Sequence, residues 1–343
     1  MSNRLFFRIS LGASVLALIV IVLGAYVRLS DAGLGCPDWP GCYGQITAPD
    51  DAEAISKARL LYPDSEIHSG KAWKEMLHRY FASTLGLLIL IMAYLAWKHR
   101  NDKQQPLFLP LFLVVLVIFQ GLLGMWTVTL LLKPAIVTLH LITGLFTLSL
   151  LFWVVLRQNT WIKKQISHLN SSSGLRKWST VALIVLGIQI FLGGWTSTNY
   201  AALYCSDFPT CQGQWLPETD FREAFTFIRE IGVNYEGGVL SNEAGVTVHL
   251  MHRVGALVTL FVVGGLCLTL LFRSPSKLIR QVSGAILTLL IVQVSLGIAN
   301  VLLLLPIPIA VSHNAVAALL LLSLIVLNYL MYAPQIERAG YST

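Results

Sequence analysis

The sequence predicts an all-α integral membrane protein, its eight transmembrane helices arranged as two pseudo-symmetric four-helix bundles. Three observations carry that expectation. Only 12% of the 343 residues are charged, 55% are hydrophobic, and the mean hydropathy is +0.69; a soluble domain carries about 25% charged residues. Eight stretches reach the roughly 20 apolar residues that a bilayer span requires. The second half of the chain also repeats the first. This composition excludes a soluble enzyme, a disordered chain and a nucleic-acid binder, which all need far more charge.

The spans are expected near 6–27, 77–97, 107–129, 136–156, 178–198, 247–272, 283–304 and 309–332. Their apolar residues lie on all sides, as helices facing lipid or a bundle interior require. Arg4 and Arg8 precede the first run as they would in a signal peptide, but the run is long and no small-x-small cleavage site ends it. An uncleaved first span is the better reading. Placing both termini in the cytoplasm puts fourteen basic and two acidic residues inside, Arg338 and Lys103 among the former and Glu337 among the latter. Inside is then +12 and outside −5, which together make the +7 of the chain. The basic excess is a topology signal, and the expected location is a bacterial cell (inner) membrane.

Two outer segments, 28–76 and 199–246, are rich in Gly, Pro, Asp and aromatic residues and read as caps or lids. The chain divides into an N-terminal half, 1–160, a polar Ser-rich cytoplasmic linker, 161–177, and a C-terminal half, 178–335.

The halves align without difficulty. LGAYVRLSDAGLGCPDWPGC ends the first span and LGGWTSTNYAALYCSDFPTC the fifth. Cys36 and Cys42 match Cys205 and Cys211, both at an offset of 169. His78, in EMLHRYFASTLG, matches His252, in HLMHRVGALVTL, at 174; His140 matches His313 at 173. Four spans per half make both halves enter the membrane the same way, so the expected symmetry axis lies along the membrane normal.

Of eight histidines, His68, His99 and His168 lie in loops and receive no role. His78, His140, His252 and His313 each lie within about a turn of the outer end of an even-numbered span. A single such residue is usually a packing or pore residue; four at repeated positions point to function, because ionisable groups at membrane depth are costly. Histidine is the common axial ligand of haem iron. Two helices can offer one imidazole to each face of a macrocycle, pairing His78 with His140 and His252 with His313. Zinc fits less well, since no third or fourth ligand accompanies either pair.

Arg79 and Arg253 follow two of these histidines and suit haem propionates; snorkelling at a span end explains them nearly as well. Glu75 lies three residues before His78 on the same helical face, whereas the second half has His249 there. This asymmetry suggests unequal jobs, with chemistry at the first site and a redox cofactor at the second. A buried carboxyl can move protons; a plain helix N-terminal acid is the equal alternative. His249 is an alternative ligand to His252, though the repeat favours His252. Five residues separate the cysteines of each pair, which allows a disulfide in each outer loop. Cys205–Cys211 reads as a staple; for Cys36–Cys42, beside Pro37, Pro40 and Gly41, a redox role stays open. Cys267 reads as inert packing within a span.

At this point the residues resemble a family. GLGCPDWPGC, EMLHRY, TLHLITG, HLMHR and SHNAVAAL, taken together over nearly the whole chain, look like heme A synthase, the membrane enzyme that converts heme O to heme A for terminal oxidases. The resemblance implies that His78 and His140 flank the substrate haem and that His252 and His313 ligate a haem b. It implies that Glu75 assists the oxidation and that Cys36 and Cys42 form the family's outer disulfide. The implied reaction oxidises the C8 methyl of heme O, through alcohol-level intermediates, to a formyl group whose oxygen comes from water. The implied partners are heme O, an electron acceptor of unstated identity and, for handover, the farnesyltransferase that makes heme O. Three rivals explain parts of the pattern. A di-haem cytochrome b-type quinol protein leaves Glu75 and the cysteines unexplained. A haem carrier needs no acid at one site. A quinone-linked thiol oxidase leaves the histidines idle.

Overall fold

A computed structural model describes residues 2–102, 106–166, 169 and 172–340, with the backbone alone for Ser2, Asn3 and 333–340. Lys103 and His168, and the side chains of Glu337 and Arg338, lie outside the described residues.

In chain order the helices are α1 (Ser2–Leu29), α2 (Ala52–Leu61), α3 (Ser69–Lys98), α4 (Phe108–Thr129), α5 (Pro134–Gln158), α6 (Thr160–Ile166), α7 (Ser173–Thr198), α8 (Phe221–Ala224), α9 (Asn242–Arg273), α10 (Lys277–Leu302) and α11 (Ile307–Gly340). Among the described residues, eight of these are long and apolar enough to cross a membrane. No strand occurs among the described residues, only two isolated bridges in the outer loops.

Local chemistry explains where the helices start. Ser172, Ser241 and Ser276 cap α7, α9 and α10 by accepting from the amides of Leu175, Ala244 and Ile279. Pro134 opens α5, where its missing N–H costs nothing. Two spans begin earlier than hydropathy indicates, α3 at Ser69 rather than near 77 and α9 at Asn242 rather than near 247. Hydropathy marks the part of a helix that lies in lipid, whereas backbone hydrogen bonding continues into the polar layer beyond it. The linker is also more ordered than its composition suggests, because α6 buries Ile166 against a core that includes Leu156, Leu266 and Leu327.

The helices α1, α3, α4 and α5 are neighbours in a closed ring, α1 touching α3 and α5, and α4 completing the circle. The helices α7, α9, α10 and α11 are neighbours in the same order. The two rings meet through α1 with α11, α5 with α7, and α5 with α11. Polar pins cross this seam. Thr138 and Thr198 share a buried hydrogen bond of 2.9 Å, and Arg28 at the end of α1 donates to the Ser197 carbonyl at 2.6 Å while lying 3.8 Å over the Tyr200 ring. In a medium without competing water such bonds add specificity to apolar packing.

Candidate functional site

The site is built at the helix ends that carry the two disulfide loops, beginning with those loops. Cys36 and Cys42 are disulfide-bonded, as are Cys205 and Cys211. In the first loop Cys42 and Gln45 exchange backbone hydrogen bonds of 2.8 and 3.0 Å across Tyr43 and Gly44, both at positive φ. The second loop repeats the turn, with Cys211 and Gln214 bracketing Gln212 and Gly213. Two left-handed central residues define a type I′ turn, which explains the glycine at the second of them. Asp38 accepts from the amides of Tyr43 and Gly44, at 2.6 and 2.9 Å. Asp207 does the same for Gln212 and Gly213, at 2.7 and 3.0 Å. These bonds, with one from the Thr210 hydroxyl, hold the Asp207 carboxyl down at about 2. Burial, aided by the Glu75 and Asp38 carboxylates, pushes the Tyr43 phenol above its ordinary value.

Each loop is clamped onto a helix by an arginine. From α3, Arg79 donates through Nη1 to the carbonyls of Asp38 (3.0 Å), Pro40 (3.3 Å) and Gly41, and through Nη2 to the Glu75 carboxylate. The other Glu75 oxygen accepts from the Cys36 amide at 2.9 Å. Gly35 lets the loop lie this close, since a Cβ there would stand 2.7 Å from the Lys71 carbonyl carbon. From α9, Arg253 donates to the carbonyls of Thr210, Cys205 and Asp207, at 2.8, 2.7 and 2.8 Å. His249 occupies the place of Glu75, with Nδ1 3.2 Å from the Cys205 nitrogen and Nε2 3.3 Å from Arg253 Nε. The two arginines therefore engage loop carbonyls, and both His249 nitrogens face the clamp. Neither contact was legible beforehand, because only the folded loop delivers three carbonyls to one guanidinium.

The four repeated histidines sit just below the clamps. His78 on α3 and His140 on α5 belong to one ring of helices, and His252 on α9 and His313 on α11 to the other. The Nδ1 atoms of His78, His140 and His313 are buried without a hydrogen-bond partner. Every ring rests its Cε1 against a glycine of a neighbouring helix, where a Cβ would stand 3.0 Å (Gly24 and His78), 3.6 Å (Gly124 and His140), 3.0 Å (Gly193 and His252) or 3.2 Å (Gly297 and His313) away. Buried imidazole nitrogens left unpartnered are costly unless something binds them. Among the described residues no three His, Cys, Asp or Glu side chains converge as a bare metal ion would need. One imidazole from each of two helices, backed by glycine, fits axial ligation of a haem.

Sequence reasoning missed the partners of these histidines. Gln120, Gln189 and Gln293 each stand four residues before one of the glycines, in a Gln-x-x-Leu-Gly pattern; the corresponding segment of α1 runs from Val20 to Gly24. Gln189 Nε2 lies 3.0 Å from His252 Nδ1, and Gln293 Nε2 lies 3.2 Å from His313 Nε2. Gln120 instead donates to the His140 main-chain carbonyl at 3.0 Å. The fourfold recurrence of Leu-Gly near span ends was the signal that could have found them.

The fold and the site define a polytopic membrane protein whose four repeated histidines are seated against glycines of neighbouring helices and whose two long loops are each closed by a disulfide. The family model for COX15-CtaA, described as cytochrome oxidase assembly protein, matches residues 7–325, and the chain belongs to that family. It is 47% identical over 319 residues to the heme A synthase of Shewanella oneidensis, covering 93% of this chain and 94% of that protein. It is 26% identical over 316 residues to the heme A synthase of Halalkalibacterium halodurans, covering 91% and 92%. With the heme A synthase of the Wolbachia of Brugia malayi it shares 27% over 319 residues, covering 88% and 89%.

Proposed function

We propose that this protein converts heme O to heme A, oxidising the C8 methyl group to a formyl group. The observation that supports this reading most directly is the carboxylate of Glu75, one helical turn before His78, beside one histidine pair and absent from the other. The chemistry balances with water as the oxygen source: R–CH3 + H2O gives R–CHO, four protons and four electrons. Passing through an alcohol-level intermediate divides this into two-electron stages.

The residues take distinct parts. His78 and His140 hold the substrate haem from its two faces. Glu75, paired with Arg79 and oriented by the Cys36 amide, receives the protons released at the methyl carbon and from the attacking water. The clamped first loop lies over this site and limits solvent. His252 and His313 hold a haem b, which supplies one-electron transfer when bound. Arg79 and Arg253 act on propionates only through guanidinium protons not already given to loop carbonyls, Glu75 or His249, so their first task is to shape the site.

The same reading treats 1–160 and 178–335 as pseudo-symmetric four-helix bundles about an axis along the membrane normal, joined by 161–177. The matching order of neighbouring helices supports it. Both termini lie in the cytoplasm of a bacterial cell membrane and the sites near its outer face, as the charge distribution favours. Electrons leave toward an acceptor outside the chain, and contact with the heme O-making farnesyltransferase delivers the apolar substrate.

The test is to express the full chain with a source of heme O, extract the haems, and identify them by mass and by pyridine hemochrome spectrum. Hydroxylated and formyl haem are expected. Their absence overturns the proposal in favour of an electron-transferring cytochrome or a carrier.

A further inference from the structure

The four histidines differ in what holds them. In the C-terminal pair each ring meets a glutamine amide from the adjacent helix, Gln189 at His252 and Gln293 at His313. Gln189 also donates to the His252 main-chain carbonyl at 3.1 Å, which fixes the amide at both ends of the residue. Room for it comes from Gly255, where a Cβ would stand only 2.2 Å from Gln189 Oε1. Among the described residues no side-chain amide is hydrogen-bonded to a ring of the N-terminal pair. Gln120 engages the His140 backbone, and the position that would serve His78 is Val20, which has no amide to offer. Gln and Gly four residues apart lie on one helical face, so the pattern delivers a seat and a clamp to one imidazole together. Where the glutamine is replaced by valine, only the seat remains.

The amide oxygens complete the observation. Oε1 of Gln189, Gln293 and Gln120 is in each case buried without a partner. A metal-bound imidazole donates its second N–H to an acceptor, which sets ring orientation and ligand basicity. Half a turn of the Gln293 amide presents Oε1 to the His313 ring nitrogen and meets both needs at once; at Gln189 the same turn exchanges the bond to the His252 carbonyl for one accepted from Nδ1.

We propose that Gln189 and Gln293 are positioning residues that lock the C-terminal imidazoles onto a permanently held haem, and that Val20 and Gln120 leave the N-terminal imidazoles unlocked so that their haem can exchange. The inference rests on the haem sites proposed above and goes beyond them, because it assigns retention and release to residues that ligate nothing. A synthase must keep one haem and release the other, and the glutamine pattern divides the halves in that way.

The test uses the full-length protein in detergent, with apomyoglobin as haem acceptor. Gln189→Leu and Gln293→Leu are expected to speed loss of haem b roughly tenfold or more, as removal of outer-shell partners of a metal ligand does, and to shift the low-spin EPR g values. Gln189→Glu keeps the shape, supplies a stronger acceptor, and is expected to lower the haem b midpoint potential. Val20→Gln is expected to slow release of bound heme O. Wild-type release rates and unchanged g values in both leucine variants overturn the inference. An unchanged potential in Gln189→Glu overturns it equally, as does unslowed heme O release from Val20→Gln. His252→Ala separates this failure from that of the underlying reading. If that variant loses haem b while the glutamine variants behave as wild type, only the locking role falls; if it keeps haem b, the ligand assignment falls and the inference with it.

Discussion

The two disulfide loops are built alike and anchored differently. In both, a disulfide closes a short loop onto the first residue of a type I′ turn, an aspartate caps the turn amides, and an arginine gathers the loop carbonyls. The difference is one residue, Glu75 against His249. A carboxylate can accept from the Cys36 amide on one oxygen and from Arg79 on the other. A neutral imidazole has a single acceptor nitrogen, so His249 can satisfy either the Cys205 amide or Arg253 Nε, not both. The first clamp therefore sets one carboxylate between a loop amide and the guanidinium, answering both. In the second, no carboxylate among the described residues pairs with Arg253, which is held by three loop carbonyls instead. The same frame thus presents an acid over one histidine pair and a neutral ring over the other.

That comparison can be broken in several ways. The largest effect is expected from Glu75→Ala, which should retain haem and form no formyl product, whereas His249→Ala should retain product formation; extracted haem analysis reads both. Loss of haem together with product in Glu75→Ala would make Glu75 a structural residue. Next comes Arg79→Leu, which strands a buried carboxylate and should cost about 3–5 kcal/mol in unfolding experiments in detergent. Arg253→Leu removes hydrogen bonds to carbonyls without stranding a carboxylate and should cost about 1–3 kcal/mol; equal losses would deny the electrostatic difference between the clamps. Removing either disulfide by paired Cys→Ser substitution should cost about 2 kcal/mol, since each closes only a short loop. Thermal unfolding of the two variants checks this, and a far larger loss of product in the first would link Cys36–Cys42 to turnover.

The smallest effect concerns acid. The Asp207 carboxyl titrates near 2 in the folded loop against 3.8 ordinarily. A depressed value means the stabilising contribution is present above the ordinary value and disappears as pH falls toward about 2. Amide exchange around Gln212 and Gly213 should therefore accelerate across that window, and Asp207→Asn should remove the dependence.

Much of this molecule was legible in its residues. The eight spans, the internal repeat, the paired histidines and the cysteine spacing are covalent or compositional features, and the structure places a span at each expected region and a disulfide at each pair. The glutamines escaped because a single polar residue within an apolar run looks like noise until the neighbouring helix is known. The arginines pointed to propionates on chemistry alone, yet Arg79 and Arg253 meet main-chain carbonyls, and carbonyls carry no sequence signal. The ordered part of the linker was hidden because the burial of Ile166 depends on a core assembled mainly from the C-terminal half.

By itself the chain determined its solvent, its orientation signal and its duplication, since hydropathy, charge and repetition are properties of the string. The tertiary structure alone decided which groups meet across helices: Gly24 under His78, Gln189 against His252, Cys36 bound to Glu75. Those contacts join residues tens of positions apart, and their distances follow from how packed helices and folded loops are set against one another. That packing makes two similar halves unequal.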